Sequence, residues 1–399
     1  MKKIVVVGAG LAGLSAAGEL RRNGWDGRIV IIGAERHKPY RRPPLSKEYL
    51  VSETAPVLDL PQTDEVDAEW RLGQTASRLD LHRRTVRVDG GHDTSFDGLV
   101  IATGSSARPA PSHIAHPRVL LLRNLDDAVT LRGRLAASRR VLVLGAGFLG
   151  SEIAAAATLM GKEVTLAERM SQPLVTAVGE SVGKQVALLH GSHGVDLRLN
   201  TEVTQLDSAG TAVRAQFADG QSVEADLVVA ALGSRPSVSW LVDSGLLIDD
   251  GVVLDSDGLA APGVTAAGDV ARWRHPLLDH ELVRVEHYSN AIDQGRQAAR
   301  VLLGGASHQR PLPSFWSHHY DWHLQSVGFT GSRFDFRMVD HDTAGKFVGE
   351  YRQRGRLVGA ITNGRPRALV RYRQELMDGI REASPVPPTG LRPHATPSR

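Results

Sequence analysis

The chain has no cysteine among its 399 residues. That excludes a disulfide framework, a redox-active cysteine pair and an iron–sulfur cluster held by its own thiolates. It also lacks any run of about 18 apolar residues, the length a bilayer-spanning helix needs, so no membrane-spanning segment is expected. Neither sign of charge dominates: 47 Lys and Arg against 44 Asp and Glu leave a net charge of +3. The pI of about 9.2 leans basic, which permits an acidic partner without requiring one. No nucleic-acid recognition motif accompanies the basic residues, so nucleic-acid binding is not expected. Lys2 and Lys3 precede only the short apolar run 4–7, which leads directly into glycines and reads as a buried first strand rather than a leader. A cytoplasmic location is the resulting expectation. At 42% apolar and 23% charged, the composition is that of a globular protein, and its length calls for two or three domains.

What is present is one phosphate-binding signature written twice. The first copy is Ile4 to Val7 followed by Gly8-Ala9-Gly10-Leu11-Ala12-Gly13; the second is Val141 to Leu144 followed by Gly145-Ala146-Gly147-Phe148-Leu149-Gly150. Each reads as an apolar strand, a glycine turn and an alanine-rich helix whose N-terminus offers free N–H groups and positive dipole to a pyrophosphate. Beyond the first turn a helix over 14–22 and a strand over 28–32 lead to Glu35; beyond the second, a helix over 151–160 and a strand over 163–166 lead to Glu168. A carboxylate at the end of that strand is placed to accept both hydroxyls of an adenosine ribose. A glycine turn that merely packs a helix closely would rarely recur with the acid in place. The repeat predicts two bound dinucleotides, and without cysteine their electrons must leave by a route other than a thiol pair.

Two further apolar runs, 99–102 before Thr103 and Gly104, and 227–230 before Gly233, read as buried parallel strands returning beside the glycine loops. Residues 263–270 suggest a strand ending in Asp269 at the start of a helix, 279–284 a turn, and 286–303 a helix. After Gly304, Gly305, Pro311 and Pro313 the character changes: 314–383 mixes short strands with aromatics and marks a third, α+β module, while the proline-rich 384–399 suggests a disordered tail. Arg352, Arg354 and Arg356 alternate, so on a strand they share one face; Arg365, Arg367, Arg371 and Arg373 follow with no acid between. An acidic protein could be steered by such a patch, or it could simply blunt a solvated edge strand.

With these segments in hand, the chain resembles the flavoprotein pyridine-nucleotide reductases of glutathione-reductase-like fold. Within them it is most similar to the ferredoxin reductases that serve bacterial oxygenases, the putidaredoxin-reductase type. The motifs that carry the likeness are Gly8 to Gly13, Tyr40 to Lys47 (Tyr-Arg-Arg-Pro-Pro-Leu-Ser-Lys), Ala102 to Gly104, Gly145 to Glu152, Gly233 to Pro236, Ala267 to Asp269 and Phe315 to Ser317. The resemblance implies an α/β fold of two Rossmann-like, three-layer dinucleotide-binding domains plus a C-terminal α+β domain. It implies FAD bound by 1–111 with 242–313, NADH bound by the inserted 112–241, and 314–383 as an interface module over the flavin. It further implies a ferredoxin partner feeding an oxygenase, in a monomer or weak homodimer.

The resemblance also implies roles for particular residues. Lys47 and Glu152 would pair where nicotinamide meets isoalloxazine and, with Trp316, form the reactive set. Arg42 and Arg123 would neutralise the FAD pyrophosphate, and Asp269 would hydrogen-bond the ribityl or phosphate region. Arg36, Ala76, Gly268, Glu286 and His287 would complete the FAD contacts, and Phe148, Leu149 and Arg169 those of the nucleotide. Glu168 favours NADH by repelling a 2′-phosphate, although Arg169 beside it could pair with one. His318 and His319 stand where the family often has Asp-Gln; adjacent histidines point opposite ways on a strand, so no metal site is expected. Three rival readings share the site: a donor to rubredoxin or nitrite reductase, an NADH oxidase or peroxidase (which normally needs a redox cysteine), and an NADH-sensing binding protein like apoptosis-inducing factor.

Overall fold

The computed structural model describes residues 1–305 and 311–383, so the tail expected at 384–399 lies outside the described residues. The apolar runs become strands of parallel sheets because both of their faces are covered. Lys3–Val7 lies between Gly98–Ile101 and Arg28–Gly33, with Val264–Ala266 and Glu69–Leu72 at the two edges. A late segment thus returns to the first sheet after the chain has built a second one. There Arg140–Leu144 lies between Glu163–Ala167 and Leu227–Ala230, flanked by Asp196–Arg198 and Val119–Leu120. The chain crosses between the two sheets at Ser105–Ala107 and again at Ser234–Pro236. These segments pair antiparallel, tying both crossings into one ribbon.

The third module is a five-stranded antiparallel sheet in the order Trp316–His319, Trp322–Gly328, Arg356–Asn363, Phe347–Gln353, Asp335–His341. One face is covered by the helix Ala368–Ala383, whose Tyr372, Leu376 and Ile380 pack on Val327, Val348 and Ala360. The other face meets the helix Val175–Ser192, where the buried Tyr351 hydroxyl donates to the Val178 carbonyl at 2.7 Å. The expected α/β class with an added α+β module is therefore the architecture found. No helix among the described residues is long and apolar enough to cross a membrane.

Three local expectations are corrected. Asp269 does not open an α-helix: Gly268–Val270 is one 3-10 turn leading into the strand Ala271–His275, and the next helix begins at Tyr288. Residues 279–284 are more than a turn, because Asp279 and His280 reverse the chain with positive φ and Glu281–Val283 pairs back on Ala271–His275. Finally, Arg352, Arg354 and Arg356 share no strand face. Arg354 and Gly355 have φ of 51° and 79° and form a two-residue hairpin turn between strands, the turn whose twist suits a hairpin. Much of that basic run is also neutralised: Arg354 and Arg356 pair with Asp279, Arg352 with Glu350, and Arg365 with Asp340 and Asp342.

Candidate active site between two glycine loops

The glycines divide the same labour in both loops. Gly8 has φ +117°, and a Cβ there would come 2.0 Å from the Ala102 carbonyl oxygen; one on Gly13 would come 2.1 Å from the Gly8 carbonyl oxygen. Gly145, at φ +92°, and Gly150 repeat these approaches at 2.5 Å from Ala231 and 1.8 Å from Gly145. The middle glycines differ, since a Cβ on Gly10 or Gly147 meets nothing within 4 Å. The outer two glycines let the turn and helix pack on the sheet, and the middle one leaves backbone open for an incoming group.

A cavity of about 1110 Å³ opens from the first loop. It exceeds the ~300–1,000 Å³ usual for a small-ligand pocket. Its wall includes Gly8, Gly10, Leu11 and Ala12, then Ala76, Ala102, Thr103, Gly104 and Gly268. Charge is concentrated near the loop in two pairs. Arg42 meets Glu35, which also accepts from the Tyr40 hydroxyl at 2.6 Å, and Arg123 meets Asp269 at 2.6 Å. Burial is the largest influence on Tyr40 and pushes its phenol well above the usual range, so the hydroxyl stays a proton donor to Glu35. Asp269 also accepts from Ser105, and Glu286 accepts from Ser234 at 2.6 Å beside the interdomain ribbon. His287, also in the wall, has a buried Nδ1 with no partner.

At the far side, Phe148, Leu149 and Glu152 bring the second loop's helix to the same cavity. Lys47 Nζ lies 2.7 Å from Glu152 Oε2, and the two side chains are only 13% and 6% exposed. Pro43 and Pro44 stiffen the turn that delivers Lys47, and the Pro43 carbonyl takes a second ammonium hydrogen bond at 3.1 Å. Two hydroxyls complete the carboxylate: Ser46 donates to Oε2 at 2.5 Å and Ser317 donates to Oε1 at 2.5 Å. One buried carboxylate therefore joins the proline loop, the second glycine helix and the third module.

Behind Ser317 lie two fully buried histidines. Burial, followed by the charge of Lys47, holds His319 down to about 3; burial, followed by His319 itself, does the same to His190, also about 3. Their unfolded value is near 6.5, so between pH 6.5 and 3 the unfolded chain binds protons that the folded chain refuses. Stability is therefore expected to fall as pH drops through 6.5, by up to ~2 kcal/mol per histidine at pH 5. Urea midpoints at pH 7.5 and 5 measure this; equal stability at both would mean that these imidazoles are charged in the fold.

The remaining expected residues lie outside the cavity wall. Glu168 sits beneath the second loop, accepting from the backbone N–H of Ala146 at 2.6 Å and of Met170 at 2.9 Å. Gly145 and Gly147 flank the Ala146 that it holds, Gly233 lies beside Arg108, and Arg36 and Arg169 are exposed. Trp316 is 37% exposed and stands one side chain back from the cavity, edge-on to the wall residue Tyr288 at 5.6 Å.

The arrangement recurs in known proteins. A sequence profile of the pyridine nucleotide-disulphide oxidoreductases matches residues 2–295. The chain belongs to that family. Among its relatives, rhodocoxin reductase of Rhodococcus erythropolis is 36% identical over 335 residues, covering 82% of this chain and 78% of that protein. Putidaredoxin reductase CamA of Pseudomonas putida is 33% identical over 411 residues, covering 99% and 95%. The reductase in the crystal structure of the covalent putidaredoxin reductase–putidaredoxin complex superposes with a TM-score of 0.88 at 30% identity, covering 94% of this chain and 93% of that one. This pyridine nucleotide-disulphide oxidoreductase is a member without the disulphide, since it has no cysteine. Sequence reasoning missed the roles of Ser46, Ser105, Ser317 and Tyr40. Ser46 and Ser317 stand inside the quoted motifs, but a hydroxyl's partner 106 or 165 residues away leaves no local pattern.

Proposed function

We propose that this protein is an FAD-dependent reductase that takes electrons from NADH and passes them singly to an iron–sulfur ferredoxin serving an oxygenase, in the cytoplasm. The observation that carries this reading is the buried Lys47–Glu152 pair standing where the first-loop cavity meets the second-loop helix. Residues 1–111 with 242–313 would hold FAD, 112–241 NADH, and 314–383 would close over the flavin. The site suits such a group: an open middle glycine, a helix N-terminus, Arg42 and Arg123 near the loop, and the orphan Nδ1 of His287 in the wall.

FAD, when bound, supplies two-electron chemistry with a reduced nicotinamide and one-electron chemistry with a ferredoxin. The chain's own residues bind, orient and tune. Gly10 and the first turn of Leu11–Arg22 present N–H groups to the pyrophosphate, and Glu35 offers oxygens to the ribose. Lys47 holds a positive charge in a desolvated setting, with Glu152 fixing its position. Glu168, anchored by two backbone N–H groups, faces the nucleotide's ribose with a negative charge that disfavours a 2′-phosphate. Arg367, Arg371 and Arg373 are exposed, in contrast to the neutralised Arg352–Arg356 stretch, and offer positive charge to an acidic ferredoxin.

Anaerobic stopped-flow mixing of the yellow protein with NADH or NADPH, then with a two-iron ferredoxin, tests the reading. Fast bleaching by NADH and reoxidation by ferredoxin many times per second are expected. A reduced complex that persists with every ferredoxin would sink it in favour of a sensor.

A further inference from the structure

The two buried histidines that the glycine loops do not use form a continuation of the active-site carboxylate. Ser317 Oγ, which donates to Glu152, lies 2.9 Å from His319 Nε2. His319 makes an edge contact with His190, ring centroids 5.9 Å apart, and His190 Nδ1 lies 3.1 Å from the Tyr320 hydroxyl. Tyr320 is half-buried and stacks on the exposed imidazole of His193, centroids 3.6 Å apart and planes within 9°. The hydrogen-bonded series runs from the cavity to the half-buried Tyr320 with a single break, between the two histidine rings. At that break His319 Nδ1 and His190 Nε2 are both buried and make no well-aligned hydrogen bond, the Ser151 backbone being the other polar group that acts on the His319 ring. Two unpaired imidazole nitrogens on touching, fully buried rings are costly unless something joins them. No direct hydrogen bond joins the two rings, and a buried water between them would give both nitrogens a partner.

We infer that Glu152, Ser317, His319, a bridging water, His190 and Tyr320 form a proton relay between the nicotinamide–flavin region and solvent. The inference rests on the reductase reading, whose balance demands such a path. NADH gives up two electrons and one proton in becoming NAD⁺. Each of two ferredoxins is reduced by one electron and takes no proton. One proton per cycle is therefore left where the nicotinamide and flavin would meet, and it must reach bulk water. Each relay member can pass it on, because every imidazole takes a proton on one nitrogen and gives one from the other. That requires neutral rings, and burial keeps both uncharged at pH 7. A lone histidine packed in a core does not explain hydroxyls bonded to both rings of a touching, buried pair.

The test separates electrons from protons. NADH-reduced protein is mixed with ferricyanide, a one-electron acceptor that binds no proton, in weak buffer with a pH-indicator dye. In His319→Gln, proton release is expected to slow by about 100-fold, the lower range for a positioned proton transfer. Bleaching by NADH should keep its amplitude, and added imidazole should restore release. Tyr320→Phe keeps the stack on His193 and should slow release likewise, so the relay stays testable if His319→Gln folds poorly. A readout independent of turnover is the nuclear Overhauser effect between water and labelled histidine rings, which should reach both His190 and His319. Normal bleaching with native proton release in both variants, or rings with no water contact, overturns the relay alone. No bleaching of the native protein overturns the reductase reading, and the relay with it.

Discussion

Glu152→Ala is expected to lower stability by about 3–5 kcal/mol, the cost of leaving a buried charge without its partner, and to slow reduction by NADH roughly 100-fold. The reason lies in how much converges on one carboxylate. Lys47, Ser46 and Ser317 all donate to it, and the acid itself is 6% exposed. Removing it strands an ammonium whose remaining acceptor is the Pro43 carbonyl, together with the Ser46 hydroxyl. The double variant Lys47→Met with Glu152→Leu should recover most of the stability, because apolar residues replace buried ion pairs at little cost. It should not recover the rate, which needs the charge. Urea denaturation and anaerobic stopped-flow on the single and double variants separate the two roles. A Glu152→Ala protein with native midpoint and native rate would show that the pair is a surface ornament.

The second large effect is a contrast within one loop. Gly8→Ala is expected to lose both FAD and several degrees of thermal midpoint, because its Cβ would sit 2.0 Å from the Ala102 carbonyl oxygen at a φ that L residues avoid. Gly10→Ala should fold with a midpoint close to native, since its Cβ meets nothing within 4 Å and its φ of −95° suits alanine. Yet it should bind FAD at least ~100-fold more weakly, because the methyl group occupies the approach of the pyrophosphate to the backbone. The same change at Gly147 should raise the KM for NADH and leave the bound FAD untouched. Differential scanning calorimetry with flavin absorbance distinguishes these cases. A Gly10→Ala protein that stays yellow would remove the pyrophosphate from the first loop.

The glycine loops were legible because their chemistry is local. Three glycines, an apolar strand before them and an acid at the end of the next strand all lie within a short stretch, and the period of each element is set by the backbone alone. The strand Leu227–Ala230 was legible for the same reason: an unbroken apolar run in an α/β chain is stable only where both faces are covered. The misread places were those where a neighbour decides. Arg352 to Arg356 alternates like a strand, but the left-handed Arg354 and Gly355 turn it into a hairpin whose basic groups fold back on Asp279, more than 70 residues away. Asp269 looks like a helix cap, yet Arg123 and Ser105 both donate to its Oδ2 and the chain continues as a strand.

By itself, then, the sequence determined the class of fold, the two phosphate loops, the absence of thiol chemistry and the pairing of Lys47 with Glu152 through a resemblance that spans most of the chain. Only the tertiary structure decided what surrounds that pair. Ser46, Ser317, His319, His190 and Tyr320 come from three separate segments, and each is an ordinary residue in its own stretch of chain. Their meaning arises because burial removes water, and a polar atom without water must find its partner wherever the fold has placed one.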